Sequence, residues 1–191
     1  MLELILIFGM LILDQAVKYW SDLVLSPVGT SIPVWKGVFN FTSTRNTGAA
    51  WGILAGKKWF FLIITIVVCG IMIYFLVRYH KKMHLLSRIA LSLLLAGALG
   101  NFIDRALLSY VRDMFHFCLI DFPIFNIADI SLTCGTALLI IDVLFLKERS
   151  ILAIDDKKKT AKSVTTEEQR MPNTTETPAE EKVQALQNNG K

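Results

Sequence analysis

The sequence lacks the signatures of the best-known hydrolase classes. It contains no HExxH motif of a zinc peptidase and no GxSxG motif of a serine hydrolase. Cysteine is also scarce: the three cysteines form no CxxC pair and have no metal-ligand spacing, so they indicate neither a metal site nor a redox compartment. We therefore expect no metal, nucleotide or other cofactor, and any hydrolytic chemistry has to come from other side chains.

Hydrophobic residues, by contrast, are abundant. They make up 53% of the 191 residues, and the mean hydropathy of +0.50 lies outside the usual range of soluble globular proteins. The formal net charge of +4 arises entirely within residues 1–149, because residues 150–191 contain equal numbers of acidic and basic side chains. This uneven charge distribution reflects the topology of a membrane protein. Nothing in the sequence resembles a nucleic-acid-binding face.

Four segments are long and apolar enough to cross a bilayer, whose hydrocarbon core of roughly 30 Å needs about 20 residues per helix. They lie at about 4–24, 59–77, 85–108 and 124–146. The first could be confused with a cleaved signal peptide, but Glu3 replaces the usual basic start and no small-x-small cleavage site follows. The sequence therefore predicts an all-α integral membrane protein with four transmembrane helices.

The positions of Lys and Arg predict the orientation of these spans. Ten basic residues lie between spans two and three or just after span four, whereas six lie on the other side, and basic loops favour the cytoplasm. All four tryptophans lie near the opposite interface, where amphipathic indole rings are favoured. We therefore place both termini in the cytoplasm.

The segments outside the spans have a different composition. Residues 38–44 are rich in β-branched and aromatic side chains and are followed by turn residues, while residues 114–119 could add a strand. A small extracytoplasmic β-rich cradle over about 25–58 is therefore predicted. Residues 150–191 are polar and lack aromatics, so we expect a disordered cytoplasmic tail after a membrane domain over 1–149.

Several charged side chains fall inside the predicted spans. Such residues cost about 2.5–3.5 kcal/mol at a helix centre on insertion scales, so each needs a partner or a function. Asp14 and Lys18 are four residues apart on one helical face, which predicts an ion pair that supports the bundle. Asp104 could pair with the adjacent Arg105 at the interface. Asp142 is expected to reach the cytoplasmic headgroups and is given no role.

Asp113 and Asp129 are the most informative acidic pair. A short antiparallel connection can bring them together at the membrane surface, because Asp113 follows span three and Asp129 lies near the start of span four. Two close carboxylates share a proton: the ionised one can deprotonate water, and the protonated one can hydrogen-bond a scissile carbonyl. Each also has a structural alternative. Asp113 could be an exposed loop residue paired with Arg112 or Arg105. Asp129 could cap the helix that begins at Asn126.

Three functions fit these residues when spacing alone is considered. One is a membrane aspartyl endopeptidase. Another is a non-catalytic scaffold subunit whose polar residues join helices. The last is a small transporter or proton conductor whose relay would consist of Asp14, Lys18, Asp113 and Asp129. Transport favours ionisable groups staggered across the membrane, whereas most of these residues are predicted near one surface.

Five ordered sequence blocks carry a family resemblance. They are DQAVK at 14–18, RNTGAAWG at 45–52, GNFIDR at 100–105, VRD at 111–113 and FNIAD at 125–129. In these blocks the sequence resembles the lipoprotein signal peptidases, also called signal peptidase II. The resemblance implies a four-helix aspartyl protease of the bacterial plasma membrane. Such enzymes cut the signal peptide from prolipoproteins just before a cysteine that carries diacylglycerol.

The resemblance also implies roles for individual residues. Asp113 and Asp129 would form the catalytic dyad on the outer side of the membrane, and Asp14 and Lys18 would give structural support. The polar lining that positions substrate and dyad would consist of Asn46, Asn101, Arg105 and Asn126. The implied partners are diacylglyceryl prolipoproteins, membrane lipids and cyclic peptide antibiotics that occupy the site, with no nucleic acid.

Overall fold

The computed structural model describes residues 1–145, so the predicted tail at 150–191 lies outside the described residues. Four long helices coincide with the four predicted spans to within three residues at each end, and three strands and a short 3₁₀ turn at Ala50–Gly52 lie outside them. In chain order the elements are α1 (Leu2–Val24), β1 (Ser31–Trp35), β2 (Phe39–Asn46), α2 (Lys58–Tyr79), α3 (Leu85–Leu108), β3 (Val111–Phe117) and α4 (Ile127–Phe145).

Helix α3 is the centre of the bundle. It packs against α1, α2 and α4, and α1 also contacts α4. Glycines allow the close approach of α3 and α4: a Cβ atom at Gly97 would lie 2.4 Å from the carbonyl oxygen of Ala128, and one at Gly135 would lie 2.9 Å from that of Ala90. Small residues at such contacts are typical of helices that pack inside a membrane.

Three described helices, α2, α3 and α4, are long and apolar enough to cross a membrane. Helix α1 is not among them, because it carries polar side chains along one face. Those residues, Glu3, Asp14, Lys18 and Ser21, are buried in the protein, whereas apolar side chains such as Phe8 are exposed. An inward polar face and an outward apolar face suit a helix that contacts lipid, and the fourth span stays a prediction.

The three strands form one antiparallel sheet in the order β1-β2-β3. Strands β2 and β3 coincide with the predicted strand-forming segments, although β3 starts three residues earlier than predicted. Their register places Phe41 opposite Phe115 and Thr44 opposite Asp113, with an irregularity between these pairs. Aromatic rings of both strands pack together on one face, and Trp20 of α1 contacts Phe41 edge to face with 5.2 Å between centroids. The sheet is thus fixed to the bundle.

The start of α4 differs from the prediction. The sequence placed span four from 124, but the helix begins at Ile127, because the preceding residues extend the sheet. The backbone N–H of Phe125 donates to the carbonyl oxygen of Phe115 at 3.1 Å, and Phe115 N–H donates back at 2.9 Å. This bridge holds the first turn of α4 beside β3.

Asp142 also lies in a different environment from the one expected. Its side chain is fully buried, and its Oδ2 accepts a 2.7 Å hydrogen bond from the hydroxyl group of Ser87. The expectation that Asp142 reaches the headgroups is wrong, because this residue lies on the face of α4 that packs against α3.

Candidate active site

Asp113 lies in β3 and is 2% exposed. Its Oδ1 accepts a 2.6 Å hydrogen bond from Asn126 Nδ2, and its Oδ2 accepts a 3.1 Å hydrogen bond from Asn46 Nδ2. Asn46 is oriented in turn by the backbone N–H of Gly48, which donates to Asn46 Oδ1 at 2.9 Å. The alternative of an exposed loop aspartate is therefore wrong, because the strand pairing of β3 with β2 buries this carboxyl group among amide donors.

Asp129 lies in the first turn of α4, where its two carboxylate oxygens accept hydrogen bonds from different residues. It forms a reciprocal cap with Asn126: the N–H of Asp129 donates to Asn126 Oδ1 at 2.9 Å, and the N–H of Asn126 donates to Asp129 Oδ2 at 3.1 Å. The other carboxylate oxygen, Oδ1, accepts a 2.8 Å bond from Asn101 Nδ2. The capping alternative is thus confirmed, and the same carboxyl group also lines a cavity.

That cavity has a volume of about 690 Å³ and is shared by both carboxyl groups. Its polar lining includes five of the six residues assigned to the site from sequence, namely Asn46, Asn101, Arg105, Asp113 and Asp129. The sixth, Asn126, has no exposed surface. It donates hydrogen bonds to both carboxyl groups, from its side-chain amide to Asp113 and from its backbone N–H to Asp129. Within residues 1–145, no three His, Cys, Asp or Glu side chains cluster in a way that could hold a metal ion.

The environment of Asp113 favours its protonated form. Burial raises the pKa of Asp113 to about 7, and the charge of the neighbouring Asp129 adds to the increase. The hydrogen bonds from Asn46 and Asn126 oppose this effect but do not cancel it. A carboxyl group that is partly protonated near neutral pH can donate a hydrogen bond, which an ordinary aspartate cannot do.

Asp14 and Lys18 form the expected pair and connect it to the cavity. Lys18 Nζ lies 2.9 Å from Asp14 Oδ2 and donates to Asn101 Oδ1 at 3.1 Å. Because lysine only donates, the amide oxygen of Asn101 must face Lys18 and its NH₂ group must face Asp129. Asp14 Oδ1 accepts a 2.8 Å bond from the N–H of Ala128 in the first turn of α4. The pair therefore fixes both an amide orientation and a helix end.

A second ion pair was not anticipated from the sequence. Arg112 Nη2 donates to Asp104 Oδ1 at 2.8 Å, and Arg112 Nη1 donates to Asp22 at 3.0 Å. The prediction that Asp104 pairs with Arg105 is wrong, because Asp104 faces α1 and β3, where Lys18 Nζ also lies 3.5 Å away. The sequence offered one signal for the position of Arg112. Because neighbouring residues in a strand point to opposite faces, Arg112 has to face away from Asp113.

Arg105 connects the cavity to the loop between β2 and α2. Its Nη2 donates to the carbonyl oxygen of Gly48 at 2.8 Å, and its guanidinium lies 4.6 Å from the ring centroid of Phe61. Gly48 is tightly enclosed, since a Cβ atom there would lie 2.6 Å from the carbonyl oxygen of Ile53. Trp51 in this loop has a φ of 54°, in the left-handed region that non-glycine residues rarely adopt, and it lines the cavity.

Comparison with known proteins identifies the family. Residues 6–145, which include every residue of this cavity, match the family described as signal peptidase (SPase) II. The chain belongs to the signal peptidase II family. Membership implies that it is a protease, and the apolar helices agree with the membrane character of the family.

Individual relatives of this signal peptidase II chain give the same result. The lipoprotein signal peptidase of Bacillus velezensis is 49% identical over 147 residues, which cover 76% of this chain and 95% of the relative. That of Bacillus subtilis is 50% identical over 133 residues, covering 69% of this chain and 85% of the relative.

Solved structures support the fold. A bacterial membrane enzyme determined by the in meso method at 2.3 Å is 44% identical, with a TM-score of 0.68 over 78% of this chain and 89% of that one. A second such structure, at 1.9 Å, is also 44% identical, with a TM-score of 0.66 over 75% of this chain and 92% of that one.

Proposed function

We propose that this member of the signal peptidase II family is an aspartyl endopeptidase whose dyad consists of Asp113 and Asp129. The observation that carries the proposal is that a buried carboxyl group and a partly buried one share one cavity and are held by amide donors from Asn46, Asn101 and Asn126. Oriented donors around two acids fix where each carboxyl group points before substrate arrives, which is what catalysis by proton transfer requires.

In the proposed chemistry the two acids hold one proton between them. We assign the ionised role to Asp129, because its carboxylate accepts a backbone N–H bond at the start of α4, and it takes a proton from water as the water oxygen bonds to the scissile carbonyl carbon. Asp113 is the protonated member and donates a hydrogen bond to the carbonyl oxygen, which develops negative charge. Collapse of the tetrahedral intermediate breaks the C–N bond, and the leaving nitrogen receives a proton from Asp129.

The remaining polar residues fall into two groups, those whose side chains line the cavity and those whose side chains do not. Asn46, Asn101 and Arg105 line the cavity, so they can contact the backbone of a bound peptide. We assign Asn126 to positioning rather than to substrate contact, since none of its surface is exposed. Asp14 and Lys18 give structural support from behind the cavity.

The apolar wall of the cavity suits a lipid-modified substrate. Ile64 and Val68 of α2 and Ile130 of α4 line it, and the first two are more than 40% exposed. A hydrophobic signal helix can enter sideways between α2 and α4 and pack against these side chains. The substrate is then a diacylglyceryl prolipoprotein, cut just before the lipidated cysteine, in agreement with the name of the relatives.

The location follows from the same interpretation. We place the chain in the bacterial plasma membrane as a four-span protein with both termini in the cytoplasm and the dyad toward the outer face. The sheet then forms an extracytoplasmic cradle over the membrane surface. Cyclic peptide antibiotics that act on the family are expected to occupy the 690 Å³ cavity.

Cleavage in a defined lipid system tests this function. Purified full-length protein in nanodiscs is incubated with a diacylglyceryl prolipoprotein and with the same precursor lacking the lipid. We expect a product whose first residue is the lipidated cysteine, identified by mass spectrometry, from the lipidated precursor only. Equal cleavage of both precursors, or cleavage at another bond, contradicts the proposed substrate.

The raised pKa of Asp113 predicts a loss of activity in alkali. Since Asp113 must be protonated and its pKa is about 7, kcat/KM should be constant or rising up to about pH 7. Above that pH it should fall by about tenfold per unit. The measurement is a pH–rate profile between pH 5 and 9 on a substrate without titratable groups near the cut. A rate that still rises at pH 9 contradicts this assignment of the proton.

Removal of residues 150–191 is expected to leave cleavage within about twofold of the full chain. The family match ends at residue 145, and every side chain of the candidate site precedes residue 135. The measurement is kcat/KM of a chain ending at Arg149, at equal amounts of folded protein. A loss of more than about tenfold contradicts the assignment of the membrane domain to 1–149.

A further inference from the structure

A second cavity lies at the end of the bundle opposite the carboxyl pair. It is formed by the start of α1 and the end of α2 and has a volume of about 560 Å³. Its lining includes Arg78, His80, Lys81 and Lys82, the N-terminal Met1, and the apolar side chains of Leu4 and Val77. Nothing in the proposed peptidase chemistry uses this cavity.

The cavity carries uncompensated positive charge. Its one acidic residue, Glu3, is buried and already paired with Arg88 and with His80, whose Nε2 lies 3.1 Å from Glu3 Oε1. Lys81 and Lys82 are exposed and make no ion pair with any carboxylate within residues 1–145. The N-terminal amine of Met1 also pairs with Glu3, at 3.4 Å. An anion placed here would therefore meet Lys81 and Lys82, which make no ion pair in the described chain.

The apolar wall indicates the kind of anion. Leu4 is 55% exposed and Val77 is 76% exposed, and both belong to the outward surfaces of α1 and α2. A free phosphate would gain nothing from these side chains. A phospholipid would place its headgroup on the basic residues and its acyl chains against the apolar ones, the arrangement expected of basic pockets between membrane helices.

We propose that this cavity binds the headgroup of an anionic phospholipid in the leaflet opposite the dyad. The ligand class is a phosphodiester with a glycerol backbone and acyl chains, such as phosphatidylglycerol. The site goes beyond the proposed peptidase function and does not depend on it, since it can be occupied whether or not the dyad cleaves.

Lipid retention by the purified full chain tests the proposal. Delipidated protein in detergent is mixed with equal amounts of phosphatidylglycerol and phosphatidylcholine with identical chains, and native mass spectrometry counts the lipids that stay bound. We expect preferential retention of phosphatidylglycerol. The variant Lys81→Gln/Lys82→Gln should reduce that retention about 25-fold, at about fivefold for each cation removed near the headgroup.

The matched control is Lys36→Gln/Lys57→Gln, which removes the same charge from exposed lysines at the dyad end of the bundle. It should leave retention unchanged, and both variants should cleave substrate as the wild type does. Equal retention by wild type and Lys81→Gln/Lys82→Gln would mean that these lysines only set membrane orientation, which overturns the proposal. Displacement of the lipid by an equimolar amount of inorganic phosphate would overturn it too, because the site would then recognise a phosphate group without the acyl chains.

Discussion

Asp113→Asn and Asp129→Asn are each expected to abolish cleavage of diacylglyceryl prolipoprotein, with kcat/KM at least about a thousandfold below wild type. Asparagine keeps the shape of the side chain but can neither deprotonate water nor supply an acidic proton. Because the two acids act as one unit, the double variant should be no less active than either single variant. The measurement is product formation from purified protein in nanodiscs.

Asp121→Asn is the matched control, since Asp121 is an exposed aspartate in the segment between β3 and α4 and does not line the cavity. It should retain full activity. In Asp113→Asn the new amide nitrogen faces the side-chain amide of Asn46 or Asn126, so one of these donors loses its acceptor. The free energy of unfolding should therefore fall by about 1–3 kcal/mol. Full turnover by either dyad variant would remove the aspartyl protease proposal.

Gly97→Ala is expected to destabilise the bundle and reduce cleavage strongly. The added methyl group would lie 2.4 Å from the carbonyl oxygen of Ala128 and 2.8 Å from Leu132 Cγ, so α4 must move away from α3. Overpacking of this kind costs about 1–3 kcal/mol, and backbone atoms cannot yield as a side-chain end can. The displaced turn carries Asp129, so activity should fall further than stability alone requires.

Gly70→Ala provides the control for this experiment. Gly70 lies in α2, and a Cβ atom there would meet nothing within 4 Å. The same substitution should therefore leave the thermal midpoint and kcat/KM close to wild type. If Gly97→Ala behaves like Gly70→Ala in both measurements, the close contact between α3 and α4 is not required for the site.

The helices were predictable because each lies in a long apolar segment of about the length that a bilayer core requires. Their ends at 24 and 108 agree with the observed ends of α1 and α3. Strand β1 was missed for the opposite reason. It is exposed along its whole length, contains Pro33 and shows no alternation, so its position depends on pairing with β2 and not on its own sequence.

The sequence predicted which residues belong to the site, but it predicted their arrangement in space only in part. Five motif blocks indicated which side chains to examine, but spacing alone left Asp129 between a capping and a catalytic role. The structure assigns it the cap and also a place in the cavity. Strand alternation points Arg112 away from Asp113, but neither its partner Asp104 nor the burial of Asp142 could be predicted, because each depends on contacts between different helices or strands.

The hydrogen bond from Ala128 to Asp14 joins residues that are 114 positions apart in the chain. Asp14 is synthesised early, in α1, whereas Ala128 arrives with the last described helix. Until that helix is inserted, Asn101 has no Asp129 to orient and the carboxyl pair does not exist. A nascent polypeptide that lacks α4 therefore cannot form the carboxyl pair, and any activity of that pair begins only after α4 has been synthesised.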